Sequence, residues 1–179
     1  MKKLTVTLLT VAVTATCAFA GTSGKSFKTI VAPEECKFRD QEFQFDAFGA
    51  GIFAKSARPG WGGGVGINYF FTKYIGIGIE QDIIGRAKDN DSNAGEWATS
   101  GNLFLRYPIC SINLAPYILA GGGAAYGDRH SGHGFGNVGG GLEYRVTNNV
   151  GIFSDARYVY SSEDPKNACQ VRSGLRFAF

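Results

Sequence analysis

The chain has 179 residues, of which 26 are glycine, 14 phenylalanine and 8 tyrosine, while only 18% are charged. Glycine costs about 1 kcal/mol in a helix interior relative to alanine, so this composition leans away from an ordinary helical enzyme and towards strands and turns. The formal net charge of +3 falls to +1 when Lys2 and Lys3 leave with the leader, which removes no acid, and that balance gives no electrostatic case for binding nucleic acid.

Residues 1–20 read as a secretory signal peptide. Lys2 and Lys3 make a positive start, Leu4 to Cys17 is mostly apolar, and Ala18-Phe19-Ala20 offers small residues at the two positions a signal peptidase reads. No later run approaches the roughly 20 apolar residues of a spanning helix. Residues 21–41 are polar and patternless, and they read as an extended periplasmic lead-in. Export leaves Cys36, Cys110 and Cys169 in an oxidising compartment, where an odd count keeps at least one thiol from pairing within the chain.

From Glu42 onward, runs of alternating residues recur between turn signals. They are Glu42 to Ala54, Trp61 to Phe71, Tyr74 to Ile84, Glu96 to Tyr107, Ala115 to Tyr126, Gly134 to Val146, Asn149 to Ser161 and Cys169 to Phe179. Most exceed the roughly five or six residues of a soluble strand and suit the nine to eleven of a tilted strand crossing a bilayer. Connections alternate between tight turns at Thr72-Lys73 and Thr147-Asn148 and longer polar loops such as Gly85 to Gly95. The prediction is an all-β, antiparallel, up-and-down eight-stranded transmembrane barrel over residues 42–179.

Charge parity sharpens it. Successive strand side chains point to opposite faces, so charges confined to one face are separated by even intervals. Glu42 and Asp46, Glu80 and Asp82, Glu96 and Arg106, Glu143 and Arg145, Asp155 and Arg157, and Arg172 and Arg176 all keep parity. On the other face, aromatic residues collect at the strand ends. Phe43, Phe45, Tyr69, Phe71, Tyr107, Tyr144, Phe177 and Phe179 mark one end, and Phe53, Trp61, Trp97, Tyr158 and Tyr160 the other. Aliphatic residues such as Val65, Ile67, Ile77, Leu103 and Leu142 lie between. Two aromatic girdles around an aliphatic band match a bilayer, which assigns the charged face to the lumen.

These features, together with Ala115-Pro116-Tyr117 opening a glycine-rich strand, the run Gly139-Gly140-Gly141-Leu142-Glu143-Tyr144-Arg145 and the ending Gly174-Leu175-Arg176-Phe177-Ala178-Phe179, carry a family likeness. From Glu42 to Phe179 the chain resembles the small eight-stranded outer-membrane barrels related to the membrane domain of outer-membrane protein A. The resemblance implies a bacterial outer-membrane location and a monomer surrounded by lipid and lipopolysaccharide. It also implies that Phe179 is read by the barrel-assembly machinery as an assembly signal. No peptidoglycan-binding domain follows the last strand, so wall anchoring is not expected.

The expected lumen holds an ion-pair network of Asp46, Glu80, Asp82, Glu143 and Asp155 with Arg106, Arg145, Arg157, Arg172 and Arg176, because unpaired charge in a narrow interior is costly. Gly62, Gly64, Gly66, Gly76, Gly78, Gly139, Gly141 and Gly174 would leave room for the long arginines or for a small cavity. In the segment Gly127 to Gly134, His130 and His133 with Asp128 have the residue types of a metal set, and Ser131 with the histidines those of a hydrolase; loop histidines are ordinarily just solvated. No catalytic residue, cofactor or resident metal is therefore assigned. With a periplasmic N-terminus, Cys36 and the turn at Cys110 share one side of the membrane and Cys169 lies on the other; a Cys36–Cys110 disulfide is expected, with three free thiols as the alternative. The functional expectation is a structural or surface-interacting barrel with a salt-bridged polar lumen, the alternative being a narrow pore for ions or small solutes.

Overall fold

Glu42, Gln44 and Asp46 alternate with Phe43, Phe45 and Ala47 at the start of the first strand, and that alternation dictates the architecture. A sheet polar on one face and apolar on the other, with no α-helix among the described residues to cover either, can satisfy both by curling so that the polar face encloses itself. The computed structural model describes residues 36–54, 57–86, 94–127, 130–161 and 167–179, all within the unit Pro33–Phe179. The signal peptide, residues 21–35 of the lead-in, the loop residues Lys88 to Asn93, and Asp128 lie outside the described residues.

Eight strands form one closed antiparallel barrel in sequence order. They are β1 (Glu42–Ala54), β2 (Ala57–Phe70), β3 (Ile75–Arg86), β4 (Ala94–Arg106), β5 (Leu114–Gly127), β6 (His130–Arg145), β7 (Val150–Ser161) and β8 (Ala168–Ala178). Closure is made by β1 against β8, from Gln44 opposite Ala178 to Ala54 opposite Ala168. Beyond the ladder, Phe43 and Phe179 exchange both backbone hydrogen bonds, 3.3 and 2.8 Å.

The strands begin and end close to where the alternation places them, but at the outer end the hairpins are longer. β2 starts at Ala57, and β5 and β6 stay paired through Gly127 opposite His130, with a register shift after Ala125. The segment expected as a loop thus gives Gly127, His130, His133 and Gly134 to the ladder, since backbone pairing needs no side chain. At the inner end the turns are tight. Thr72 Oγ1 accepts from the amides of Tyr74 and Ile75, and Thr147 Oγ1 does the same for Asn149 and Val150. A hydroxyl two or three residues before the amides it caps is a recurrent turn device.

The outer wall is apolar. Val65, Ile67, Ile77, Ile79, Leu103, Leu105, Ile118, Val138, Leu142 and Ile152 are exposed between Trp61, Trp97, Tyr126, Tyr158 and Tyr160 at one end and Phe43, Phe71, Tyr107, Tyr144 and Phe179 at the other. Its few polar groups satisfy themselves. Ser154 and Ser173, opposite one another on β7 and β8, donate to the carbonyls of Arg172 and Phe153 at 3.1 and 3.2 Å. Thr99 donates to Gln81 Oε1 at 2.6 Å. Where no water competes, an unpaired polar group costs several kcal/mol, so such local closure is what hydrocarbon requires.

Candidate functional site: the lumen

The lumen-facing positions follow from parity, and the residues expected there are brought together in two clusters. At the inner end Arg176 (β8) forks onto Asp46 (β1), with Nε to Oδ1 at 2.7 Å and Nη2 to Oδ2 at 2.6 Å, while its Nη1 reaches Glu143 (β6) at 2.7 Å. Arg106 (β4) bonds Glu42 at 3.2 Å and Glu143 at 3.4 Å, and Arg145 (β6) bonds the same two carboxylates at 2.5 Å each. Bidentate arginine–carboxylate pairs are the strongest of their kind, and here each guanidinium links strands on different walls.

The second cluster lies at mid-height. Arg157 (β7) forks onto Glu80 (β3) at 2.6 and 3.0 Å and onto Asp155 at 3.1 Å. Arg172 (β8) forks onto Asp155 at 3.0 and 2.8 Å and meets Glu80 at 3.2 Å. Tyr117 (β5) donates to Asp155 at 2.9 Å, and Asn102 (β4) to Glu80 at 2.9 Å. Gly141 makes the second cluster possible: a Cβ there would stand 2.6 Å from that of Asp155 and 2.4 Å from the Ser154 carbonyl. Asp82 departs from the expected pattern. It takes a hydrogen bond across the lumen from Gln170 Nε2, 2.9 Å, and no arginine bonds it among the described residues.

Several lumen residues escape the sequence-based set. Glu42 is fully buried and serves two arginines, so the buried charges among the described residues are six carboxylates and five arginines rather than five of each. Its parity with Asp46 already points inward. Phe48, Phe70, Phe104, Tyr117 and Phe153 are also buried in the lumen, and the guanidiniums lie over them: Arg106 on Phe70 at 3.9 Å, Arg172 on Phe48 at 4.3 Å, Arg176 on Phe153 at 4.6 Å. The interior is accordingly a mixture of ion pairs and rings, in which cation–π contact replaces part of the lost hydration.

Residues 36–41 of the lead-in lie across the inner mouth. Cys36 and Cys110 form a disulfide, with Cα atoms 4.9 Å apart, that pins residue 36 to the β4–β5 turn. Phe38 is buried beneath the guanidiniums of Arg106 and Arg145, at 4.9 and 5.2 Å. Lys37 donates to the Val146 carbonyl at 3.2 Å, and Asp40 accepts from the Lys73 amide at 2.6 Å. Cys169, at the outer end opposite Phe53 and Tyr158, is free and exposed. At the outer mouth His133 Nε2 lies 3.6 Å from Glu96 Oε1. The side chains of His130 and Ser131, like Asp128, lie outside the described residues.

Comparison with known proteins agrees with this architecture. Among solved structures, Neisserial surface protein A is 16% identical, with 77% of this chain and 96% of that one covered at a TM-score of 0.62. The N-terminal β-barrel domain of Pseudomonas aeruginosa OprF is 20% identical, covering 79% and 99% at 0.55. Ail, the attachment invasion locus protein of Yersinia pestis, is 17% identical, covering 78% and 99% at 0.52. No functionally curated protein sequence is significantly similar to the chain. The family model described as outer membrane protein beta-barrel domain matches residues 5–177. With an eight-stranded closed wall, an apolar exterior girdled by aromatic rings and that match, the chain belongs to the outer-membrane protein β-barrel domain family and resides in the bacterial outer membrane.

Proposed function

We propose that the protein is a non-catalytic, monomeric barrel whose lumen is closed by its own ion pairs and whose task is structural or surface-interactive. Lipid and lipopolysaccharide surround the wall, and the outer hairpins face the environment. The observation that carries this reading is cross-lumen bonding: Arg157 to Glu80 joins β7 to β3, and Arg106 to Glu42 joins β4 to β1, leaving rings rather than open space between the clusters. An eight-stranded interior is just wide enough for side chains to fill it. Reconstitution into planar bilayers tests the reading: no conductance above background is expected, and steady single-channel steps would refute it.

A second reading, a narrow path for ions or small solutes, draws on the small side chains of the outer lumen, where Gly62, Gly64, Ala98, Gly121 and Gly123 occupy inward positions. The same recordings decide between the two. Phe179 is proposed as the assembly signal, supported by its place at the end of the closing strand with its ring exposed on the wall. Replacing it should lower the folded fraction in the outer membrane while leaving refolding into detergent unchanged.

A further inference from the structure

Residues 36–41 touch each of the three inner turns while standing outside all eight strands. Cys36 is bonded to Cys110 in the β4–β5 turn, Lys37 Nζ donates to the Val146 carbonyl of the β6–β7 turn at 3.2 Å, and Asp40 accepts from the Lys73 amide of the β2–β3 turn at 2.6 Å. The Arg39 amide donates to Glu42 Oε2 at 3.3 Å. Phe38 is the one buried side chain of the six, over Arg106 and Arg145. Three features oppose this closed arrangement. Ordering six residues costs conformational entropy. Gln41, where the segment turns into β1, sits at φ 54°, in the left-handed region that an L side chain avoids. Arg106 Nη2, on the guanidinium that Phe38 overlies, has no acceptor among the described residues. Against these stand one buried ring and hydrogen bonds at Lys37 and Asp40 that are exposed, and exposed bonds merely replace bonds to water. The covalent link supplies what they lack.

We propose that residues 36–41 are a lid over a periplasmic mouth, latched by the Cys36–Cys110 disulfide and released by thiol–disulfide exchange with a dithiol reductant of the periplasm. Both cysteines are half-buried at the end of the barrel rather than enclosed, within reach of a thiolate. One thiol of the reductant attacks, as thiolate, either sulfur of the bridge; the other sulfur leaves with the bonding electron pair and takes up a proton. The second thiolate of the reductant then displaces the mixed disulfide. The lid and its turn gain two electrons and two protons in all, and the reductant becomes a disulfide. With the tie cut, chain entropy and the Gln41 backbone favour opening, which uncovers Arg106, Arg145 and Glu42 to water. Cys169 takes no part, because it lies at the opposite end of the barrel. The strands contain neither Cys36 nor Cys110, so the wall stays closed while the lid moves.

The test uses the mature protein folded in detergent micelles, with and without dithiothreitol. Alkylation counts the free thiols, the mobility difference between unheated and boiled samples reports the wall, and hydrogen–deuterium exchange read by mass spectrometry follows the lid. Dithiothreitol should free Cys36 and Cys110 while the sample keeps its folded mobility. Exchange in residues 37–41 should then rise about tenfold or more with the strands unchanged, as local opening requires, and reoxidation should restore protection. Cys110→Ser should exchange at the reduced rate whether or not dithiothreitol is present; the wild-type arms carry the test if that variant does not fold. A lid that stays protected after the bridge is cut, or in Cys110→Ser, would overturn the proposal, because Phe38 and the turn contacts would then suffice. So would a bridge that dithiothreitol reaches only once the barrel unfolds. Loss of the folded mobility on reduction would do the same, since the bridge would then be a staple of the wall.

Discussion

The inner and outer halves of the lumen share one wall and one strand count, yet they are filled by different means. In the inner half three carboxylates and three guanidiniums close on one another, Phe38 lies over two of the arginines, and a disulfide ties the segment beside that ring to the β4–β5 turn. The outer half keeps small side chains, a carboxylate bonded by glutamine rather than arginine, and a half-exposed His133–Glu96 pair. Ion pairing is therefore denser at the inner end, where each carboxylate meets at least one guanidinium, than in the outer half, where Asp82 meets a neutral amide. A barrel of this size can be leak-proof without being uniformly packed.

The comparison can be broken most directly at Arg176. Arg176→Ala takes from Asp46 the arginine that forks onto it and from Glu143 one of its three arginines, and losing one partner of a buried pair costs about 3–5 kcal/mol, so urea unfolding should show the largest loss of any single arginine. Arg172→Ala leaves Glu80 and Asp155 still bonded by Arg157 and should cost less; an equal or larger loss would mean that the halves do not differ. Cys36→Ser should cost up to about 4.5 kcal/mol in the chain-entropy model for a loop closed over a separation of 74 residues, with raised exchange or labelling confined to the inner mouth. Tyr117→Phe removes one hydrogen bond to a charged acceptor and should cost about 1.5–3 kcal/mol, measured in the same urea series. His133→Ala should be nearly silent, at about 0.5 kcal/mol or less, because half-exposed pairs contribute little.

Much of this was legible because a strand repeats every two residues, so parity alone sorts lumen from wall. It located the strands and the aromatic girdles and gave Glu42 the inward parity of Asp46, though Glu42 was not in the expected network, and the side of the membrane on which each cysteine falls led to the Cys36–Cys110 bridge. Partner choice was not legible. Whether Asp82 meets Arg172 or Gln170 depends on how strands three and eight are staggered around the barrel, and that stagger leaves no mark in either segment. The burial of Phe38 was hidden for another reason: the lead-in has no periodicity, and its path is set by the far end of a disulfide 74 residues away. The extended outer hairpins were missed because glycine-rich sequence reads as loop even where the backbone ladder continues.

Seven of the eight ladders join neighbours in the chain; the eighth, between the first strand and the last, is a seam between its two ends. Asp46 and Arg176 stand directly opposite each other across that seam, and Arg172 arrives on the same strand. A seven-stranded intermediate would thus have two raw edges and six interior acids against three arginines, a state that neither lipid nor a closed wall tolerates. Docking of the final strand ends both faults in one event. A copy without β8 would consequently carry unbalanced charge on its interior face.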